Sequence, residues 1–219
     1  MNAVRRFATR PSSSTRQYLK RQMTDEFTRK AREHSYRARS AFKLIEMNQR
    51  YKILSEGDCV VDIGAAPGSW SQVAAEIVKP TGKGFVLGVD LQPMAPIPGV
   101  VLLSQSDITA PSTHRKIESA LAGRLVNCVI SDMAPNPTGD RATDHTRIIK
   151  LCQMALDLTN SVLPLSPNGR FLCKIWEGNE RKEFMSEIQK RFKTVITVKP
   201  KASRDDSAEL YLLATNRIN

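Results

Sequence analysis

Val60-Val61-Asp62-Ile63-Gly64-Ala65-Ala66-Pro67-Gly68-Ser69-Trp70-Ser71-Gln72 is the stretch around which the chain is organised. An apolar run stops at an acid and two glycines, then restarts with helical spacing. Residues 59–63 have the β-branched density of a strand buried on both faces, and residues 71–78 carry apolar positions at helical intervals, so Gly64 and Gly68 lie on a strand-to-helix turn. Glycine in such a turn lets the backbone approach a ligand closely. The dinucleotide version of the turn reads G-x-G-x-x-G and aims a helix N-terminus at a pyrophosphate. Here the glycines are four apart with Pro67 between them, which argues against that ligand. A second strand over residues 84–89 runs into Asp90, placed as a carboxylate would be to take the ribose hydroxyls of a nucleoside. S-adenosylmethionine has a ribose and an adenine and no phosphate.

The alternation continues down the chain. Residues 100–103 read as a strand ending near Asp107, 111–121 as a helix, 125–130 as a strand, 144–163 as a long helix, 170–176 as a strand and 181–192 as an amphipathic helix. Two last strands, 194–198 and 210–215, are joined by a basic-then-acidic loop. This rhythm predicts an α/β domain with a mostly parallel sheet and helices on both faces. Ligands in such sheets sit beyond the carboxyl ends of the strands, so Asp62, Asp90, Asp107 and Asp132 are expected at one edge. The segment 131–139, with Pro135, Asn136 and Pro137, is rich in turn formers and is expected to hang over that edge.

Composition bounds the partners. The 219 residues, 41% of them apolar, suit one packed catalytic domain. A formal net charge of +11 points to an acidic partner, most simply nucleic acid. There is no apolar stretch of the length needed to span a membrane as a helix. Cys59, Cys128, Cys152 and Cys173 stand singly in apolar segments and the three histidines are scattered, so reduced core cysteines and no metal site are expected. Residues 1–21 hold Arg5, Arg6, Arg10, Arg16, Lys20 and Arg21 and no acid, the composition of a mitochondrial transit peptide or, alternatively, of a disordered basic arm. Taking those six charges from +11 leaves +5, so the expected domain over 22–219 stays basic.

From Lys20 to Lys52 ten basic residues stand against four acids, with Phe27, Tyr36, Phe42 and Tyr51 threaded among them, a candidate RNA-contacting face. Ser40 is placed as the N-cap of a helix over 41–47, which puts Lys43 in a first turn, where the macrodipole disfavours a cation. Taken alone, Lys43 is more simply a solvated surface lysine. Lys174 interrupts an otherwise apolar strand near the same carboxyl edge, either snorkelling to water or serving a site. Glu209 lies where the last strand begins.

Read together, these segments resemble the FtsJ/RrmJ family of ribose 2'-O-methyltransferases, and within it the branch acting on mitochondrial large-subunit ribosomal RNA. The matching stretches are Ser35-Tyr36-Arg37-Ala38-Arg39-Ser40-Ala41-Phe42-Lys43-Leu44, the Asp62 to Gln72 turn, Ser131-Asp132-Met133-Ala134-Pro135-Asn136, and residues 204–211. In that order they cover residues 24–219. Two departures are visible: Ser69 stands where the family has glycine, and Thr138-Gly139 where it has serine-glycine. The side chain of Ser69 would narrow the approach to a cofactor. The resemblance implies a class I, Rossmann-like methyltransferase with a seven-stranded sheet ending in an antiparallel hairpin, and S-adenosyl-L-methionine as cofactor. It also implies a Lys-Asp-Lys-Glu tetrad on Lys43, Asp132, Lys174 and Glu209, and cofactor contacts among Asp62, Gly64, Pro67, Gly68, Ser69, Trp70, Asp90, Asp107 and Asp132. Asp90 would take the ribose hydroxyls, Asp107 the adenine amino group and Asp132 the methionine end. The implied partner is large-subunit rRNA or a pre-ribosomal particle in the mitochondrial matrix, met by a monomer that needs no metal.

The chemistry explains the residue types. A ribose 2'-hydroxyl is a poor nucleophile at neutral pH, so methyl transfer to it needs in-line positioning and a route for the proton. Lys174 is the expected general base in its neutral form, which burial and the like charge of Lys43 favour and Asp132 and Glu209 oppose. In its charged form it would hold the hydroxyl and stabilise the developing alkoxide. The substrate surface is expected on the basic N-terminal helices and the loop with Lys199, Lys201 and Arg204. Rival readings are a tRNA or mRNA-cap methyltransferase, an assembly factor that only grips RNA, and a nucleotide-dependent oxidoreductase, the last disfavoured by the glycine spacing.

Overall fold

The computed structural model describes residues 25–203 and 207–218. The leader expected at residues 1–21 and the basic residue Arg204 lie outside them. Along the chain run α1 (Glu26–Glu33), α2 (Ala41–Tyr51), β1 (Cys59–Ile63), α3 (Ser69–Val78), β2 (Phe85–Val89), β3 (Val101–Leu103), α4 (Pro111–Leu121), β4 (Val126–Ser131), α5 (Arg141–Ser161), β5 (Leu165–Trp176), α6 (Arg181–Gln189), β6 (Phe192–Val198) and β7 (Glu209–Arg217). The strands form a seven-stranded sheet in the order β3-β2-β1-β4-β5-β7-β6. β1 to β5 are parallel, and β7 inserts antiparallel between β5 and β6. This is the class I methyltransferase architecture that the resemblance implied. The chain goes one way from β1 to β2 and the other way to β4, so the crevice of the sheet opens at the carboxyl ends of β1 and β4.

The pleat sorts the core into two layers. Val61, Ile63, Leu87, Val89, Val129, Phe171 and Cys173 pack beneath α4, α5 and α6. Their neighbours in sequence, Val60, Val86, Cys128, Ile130 and Leu172, face α2 and α3 on the other side. Alternation with period two under helices on both faces is why these strands read as continuous apolar runs. The four cysteines are buried and free. Among the described residues, no helix is long and apolar enough to cross a membrane.

Several boundaries moved for tertiary reasons. α5 starts at Arg141 rather than 144, because Asp140 caps it by accepting the Thr143 N–H at 2.8 Å. Asp144 turns back to accept the Thr138 N–H at 2.8 Å and its hydroxyl at 2.7 Å, which ties the helix to the preceding loop. β5 starts at Leu165 rather than 170, through a register shift between Val126 and Cys128 that absorbs residues 166–169. α6 stops at Gln189 because Phe192, 1% exposed, already pairs with Arg217 in the last hairpin. Ser40 is not a side-chain N-cap: its backbone is helical, its hydroxyl shares a 2.8 Å hydrogen bond with that of Ser69, and its carbonyl accepts the Trp70 indole N–H at 2.8 Å. The start of α3 claims the hydroxyl that would otherwise cap α2.

Candidate active site

The ends of β1, β2 and β4 open on a cavity of about 590 Å³, a size suited to one small organic ligand. Gly64 lines it. Its φ is +74°, and a Cβ there would stand 2.0 Å from Met133 Cγ, so both the backbone conformation and the close approach require glycine. Asp90 braces the turn: one carboxylate oxygen accepts the Ala66 N–H at 2.8 Å and the other the Gln92 N–H at 2.6 Å. Each oxygen keeps a lone pair for a ligand hydroxyl. Asp107, also in the lining, accepts the N–H and the hydroxyl of Thr109, both at 2.8 Å, and these bonds hold its carboxyl below the usual carboxylate range. Asp132, Met133 and Asn136 contribute from the loop after β4, with Arg147 and Lys150 from α5. Carboxylates beside apolar Val89, Leu91, Ile108 and Met133 suit a ligand that combines hydroxyl and amino donors with a flat apolar ring, as a nucleoside does.

Next to this cavity two ion pairs meet at the seam between β5 and β7. Lys174 lies opposite Tyr211 and Trp176 opposite Glu209, so Lys174, Tyr211 and Glu209 project from one face. The Lys174 ammonium nitrogen donates to the Asp132 backbone carbonyl at 2.6 Å and sits 3.1 Å from its carboxylate. Lys43, from the first turn of α2, reaches Glu209 at 2.6 Å. That charge-assisted contact outweighs the fractions of a kcal/mol, up to about 1, by which the helix dipole disfavours a cation there. The same Glu209 oxygen accepts the Ser203 hydroxyl at 2.8 Å, and Tyr211 donates its hydroxyl to Asp132 at 2.8 Å. All four charged side chains are at most 18% exposed. Burial by itself would raise the Glu209 carboxyl, but Lys43, then Lys174 and Ser203, more than reverse this and leave it below its ordinary value. Burial, reinforced by Asp132 and Glu209, pushes the Tyr211 hydroxyl well up, so it stays a donor. Asp132 belongs to both regions, lining the cavity and holding Lys174.

Of the expected cofactor residues, Gly64, Asp90, Asp107 and Asp132 line the cavity. The others in the turn do not join them there. Asp62 is a correction to the expectation of four acids at one edge: the pleat sends its carboxylate towards α3, where one oxygen accepts the Ser71 hydroxyl at 2.7 Å and the other is buried without a hydrogen-bond partner among the described residues. Burial pushes its carboxyl up to about 7. Trp70 is a core residue, 2% exposed, with its ring 5.6 Å from that of Tyr211. Pro67 and Gly68 are not part of the lining; a Cβ on Gly68, whose φ is +112°, would meet Ile97 at 2.4 Å. Ser69 turns its hydroxyl to Ser40, so it does not narrow the cavity as expected. Tyr211, Ser203 and Met133 carried no role in the sequence reading. Tyr211 had a usable signal, since it stands two residues after Glu209 on a strand and shares its face.

The expected RNA face is more internally bonded than its composition suggests. Phe42 has Phe27, Tyr36 and His34 around it at 5.8 to 5.9 Å, so these rings face one another. Arg39 donates to the Ala202 carbonyl at 2.6 Å and pairs with Asp25. Glu46 accepts the N–H groups of Lys201 at 2.9 Å and Ala202 at 3.1 Å, which pins the loop carrying Ser203 onto α2. Lys199 and Lys201 remain exposed at this corner, with Arg32, Arg50 and Lys52 on the N-terminal helices and the turn after α2.

Relatives agree with this fold. The protein is 54% identical over 213 residues to a Caenorhabditis elegans protein named rRNA methyltransferase 2, mitochondrial, across 96% of this chain and 98% of that one. It is 44% identical over 212 residues to the ribosomal RNA large subunit methyltransferase E of Brucella anthropi, across 96% and 87%. A Plasmodium falciparum crystal structure assigned as a ribosomal RNA methyltransferase superposes with a TM-score of 0.75 at 27% identity, over 84% of this chain and 100% of that one. Residues 36–217 match the FtsJ-like methyltransferase family, and with the sheet order and glycine turn in place, the chain belongs to that family.

Proposed function

We propose that the protein transfers a methyl group from S-adenosyl-L-methionine to the 2'-hydroxyl of a uridine ribose in mitochondrial large-subunit rRNA, and so supports maturation of that subunit. The observation that carries the reaction is the double placement of Asp132, whose residue both lines the cavity and holds Lys174. The rRNA target rests on the relatives named for it, and the matrix location on the Caenorhabditis elegans relative and the basic, acid-free composition of residues 1–21. Residues 22–219 act as one monomeric catalytic domain in this reading.

Asp90 takes the ribose hydroxyls of the cofactor, Asp107 its adenine amino group and Asp132 its methionine end, with the backbone from Gly64 through Pro67, Gly68 and Ser69 to Trp70 shaping the site. When bound, S-adenosylmethionine supplies a methyl group already activated by its sulfonium. Lys174 meets the ribose hydroxyl. Two of the tetrahedral positions on its nitrogen face the Asp132 carbonyl and carboxylate, and the remaining one takes the 2'-oxygen. With a lone pair there, Lys174 accepts the hydroxyl proton; with a proton there, it holds the developing alkoxide while water takes the proton. Glu209 and Lys43 orient the ribose. The exposed cations on the N-terminal helices, with Lys199 and Lys201, grip phosphates without reading sequence.

The test is labelled-methyl transfer to unmodified mitochondrial large-subunit particles, with the product mapped. Label on one ribose is expected. Cofactor binding without transfer to particles or free rRNA would leave only an RNA-gripping assembly role. A reporter fused to residues 1–21 that stays cytosolic would remove the mitochondrial assignment.

A further inference from the structure

Arg37 lies between α1 and α2, in the stretch whose composition suggests phosphate contacts, yet its guanidinium is bonded to the protein's own backbone. It donates to the Pro67 and Ala95 carbonyls, each at 2.9 Å, and to the Pro96 carbonyl at 2.7 Å. Pro67 belongs to the glycine turn. Ala95 and Pro96 belong to the loop after β2, whose first residues, Asp90 to Gln92, line the cavity. The segment that carries Arg37 is itself anchored on α3: its N–H donates to the Gln72 side-chain carbonyl at 2.9 Å, and the Gln72 amide donates back to the Ser35 carbonyl at 3.1 Å. Contact is close as well as polar, since a Cβ on Gly68 would stand 2.4 Å from Ile97 and 3.1 Å from the Arg37 guanidinium. Turn and loop carbonyls have no strand partner to satisfy them, and a planar fork with five N–H donors spreads its bonds over separate nitrogens, where an ammonium would have to bring all three carbonyls to one nitrogen.

We propose that Arg37 is a positioning residue for the methyl-transfer reaction, clamping the glycine turn to the loop after β2 and so setting the walls of the cofactor cavity from the basic N-terminal segment. This rests on the reading of the cavity as the cofactor site. Arg37 does not line the cavity and acts through Pro67, Ala95 and Pro96. Its loss is felt in cofactor affinity, whereas loss of a phosphate contact is felt in RNA affinity and leaves the cofactor alone.

The test uses the full chain with Arg37→Gln, Arg37→Lys and Gln72→Ala, and takes two readouts. In ligand-free protein, amide exchange in the peptide covering residues 91–100 is expected to speed up by roughly tenfold in both Arg37 variants, with β4 and β5 unchanged. Binding of S-adenosylmethionine without RNA is expected to weaken by roughly tenfold in both, because lysine keeps the charge and loses the fork. Gln72→Ala shifts both readouts the same way by less. Unchanged exchange at 91–100 overturns the inference, as does unchanged cofactor affinity together with weaker binding to an rRNA fragment. If Arg37→Gln also loses protection in β4 and β5, Gln72→Ala decides, and unchanged exchange at 91–100 in that variant overturns the clamp. Failure of the unmutated protein to bind S-adenosylmethionine would refute the proposed function, and the exchange measurement alone would then decide the clamp.

Discussion

The cavity rim and the tetrad handle charge in opposite ways. On the rim, Asp90 and Asp107 are accessible carboxylates, each held by an N–H two residues further on, a local turn that needs little support. In the tetrad, Lys43, Asp132, Lys174 and Glu209 are largely buried, and each is tolerable only because a partner arrives from a distant element. Removing one member of a buried pair strands the other charge, at a cost of about 3–5 kcal/mol. The rim is therefore expected to lose binding groups one at a time, and the tetrad to fail as a unit.

The sharpest way to break this contrast is Lys174→Ala. Single-turnover methyl transfer is expected to fall by roughly 10³-fold with cofactor affinity nearly unchanged. Affinity and rate falling in parallel would mean that rim and tetrad are one site energetically.

Asp62 is a third kind of carboxylate, buried with no cation paired to it among the described residues, and it is expected to make stability depend on pH. Its folded-state value of about 7 lies above the ordinary 3.8, so the folded protein holds the proton more tightly than the unfolded chain. The associated stability is fully present below about pH 4, declines as pH rises towards 7, and is gone above it, a change on the order of 4 kcal/mol. Asp62→Asn, which mimics the protonated form, is expected to be more stable than the parent at pH 8 and close to it near pH 4.5 in urea unfolding. Equal stabilities at pH 8 would show that Asp62 is solvated after all.

Asp90→Ala is expected to weaken S-adenosylmethionine binding by roughly 10- to 100-fold through lost hydrogen bonds to a charged acceptor, while transfer at saturating cofactor changes little. A loss of transfer that saturation does not rescue would move Asp90 out of the rim. The smallest effect belongs to Ser69→Gly, which removes the bond to Ser40 and is expected to cost about 1 kcal/mol of stability with cofactor affinity unchanged. Tighter cofactor binding in that variant would mean that the hydroxyl does obstruct the site.

Much of the architecture was legible because it is local. The apolar run of β1, the glycine turn and the strand–helix rhythm each depend on residues within a few positions of one another, and the structure keeps them. Element ends were less legible: α5 starts where Asp140 can cap it, and β5 where a register shift lets Leu165 pair. Lys174 could be singled out as a charge in an apolar strand, but its bonds to Asp132 could not be read, since they span 42 positions. Asp62 and Asp132 both close strand-like runs in the sequence. The pleat turns Asp62 towards Ser71, whereas Asp132, beyond the end of β4, meets Lys174 and Tyr211.

The sequence by itself determined the class of sheet, the place of the glycine turn and, through the conjunction of its motifs, the family, because hydrophobic period, turn chemistry and motif order are properties of neighbouring residues. Only the tertiary structure decided which acids face the cavity, that Tyr211 and Ser203 complete the tetrad's hydrogen bonds, and that Arg37 binds the protein's own backbone. Those outcomes depend on which distant segments the packed helices and the antiparallel β7 bring within a few ångströms of one another, a relation that no local pattern encodes.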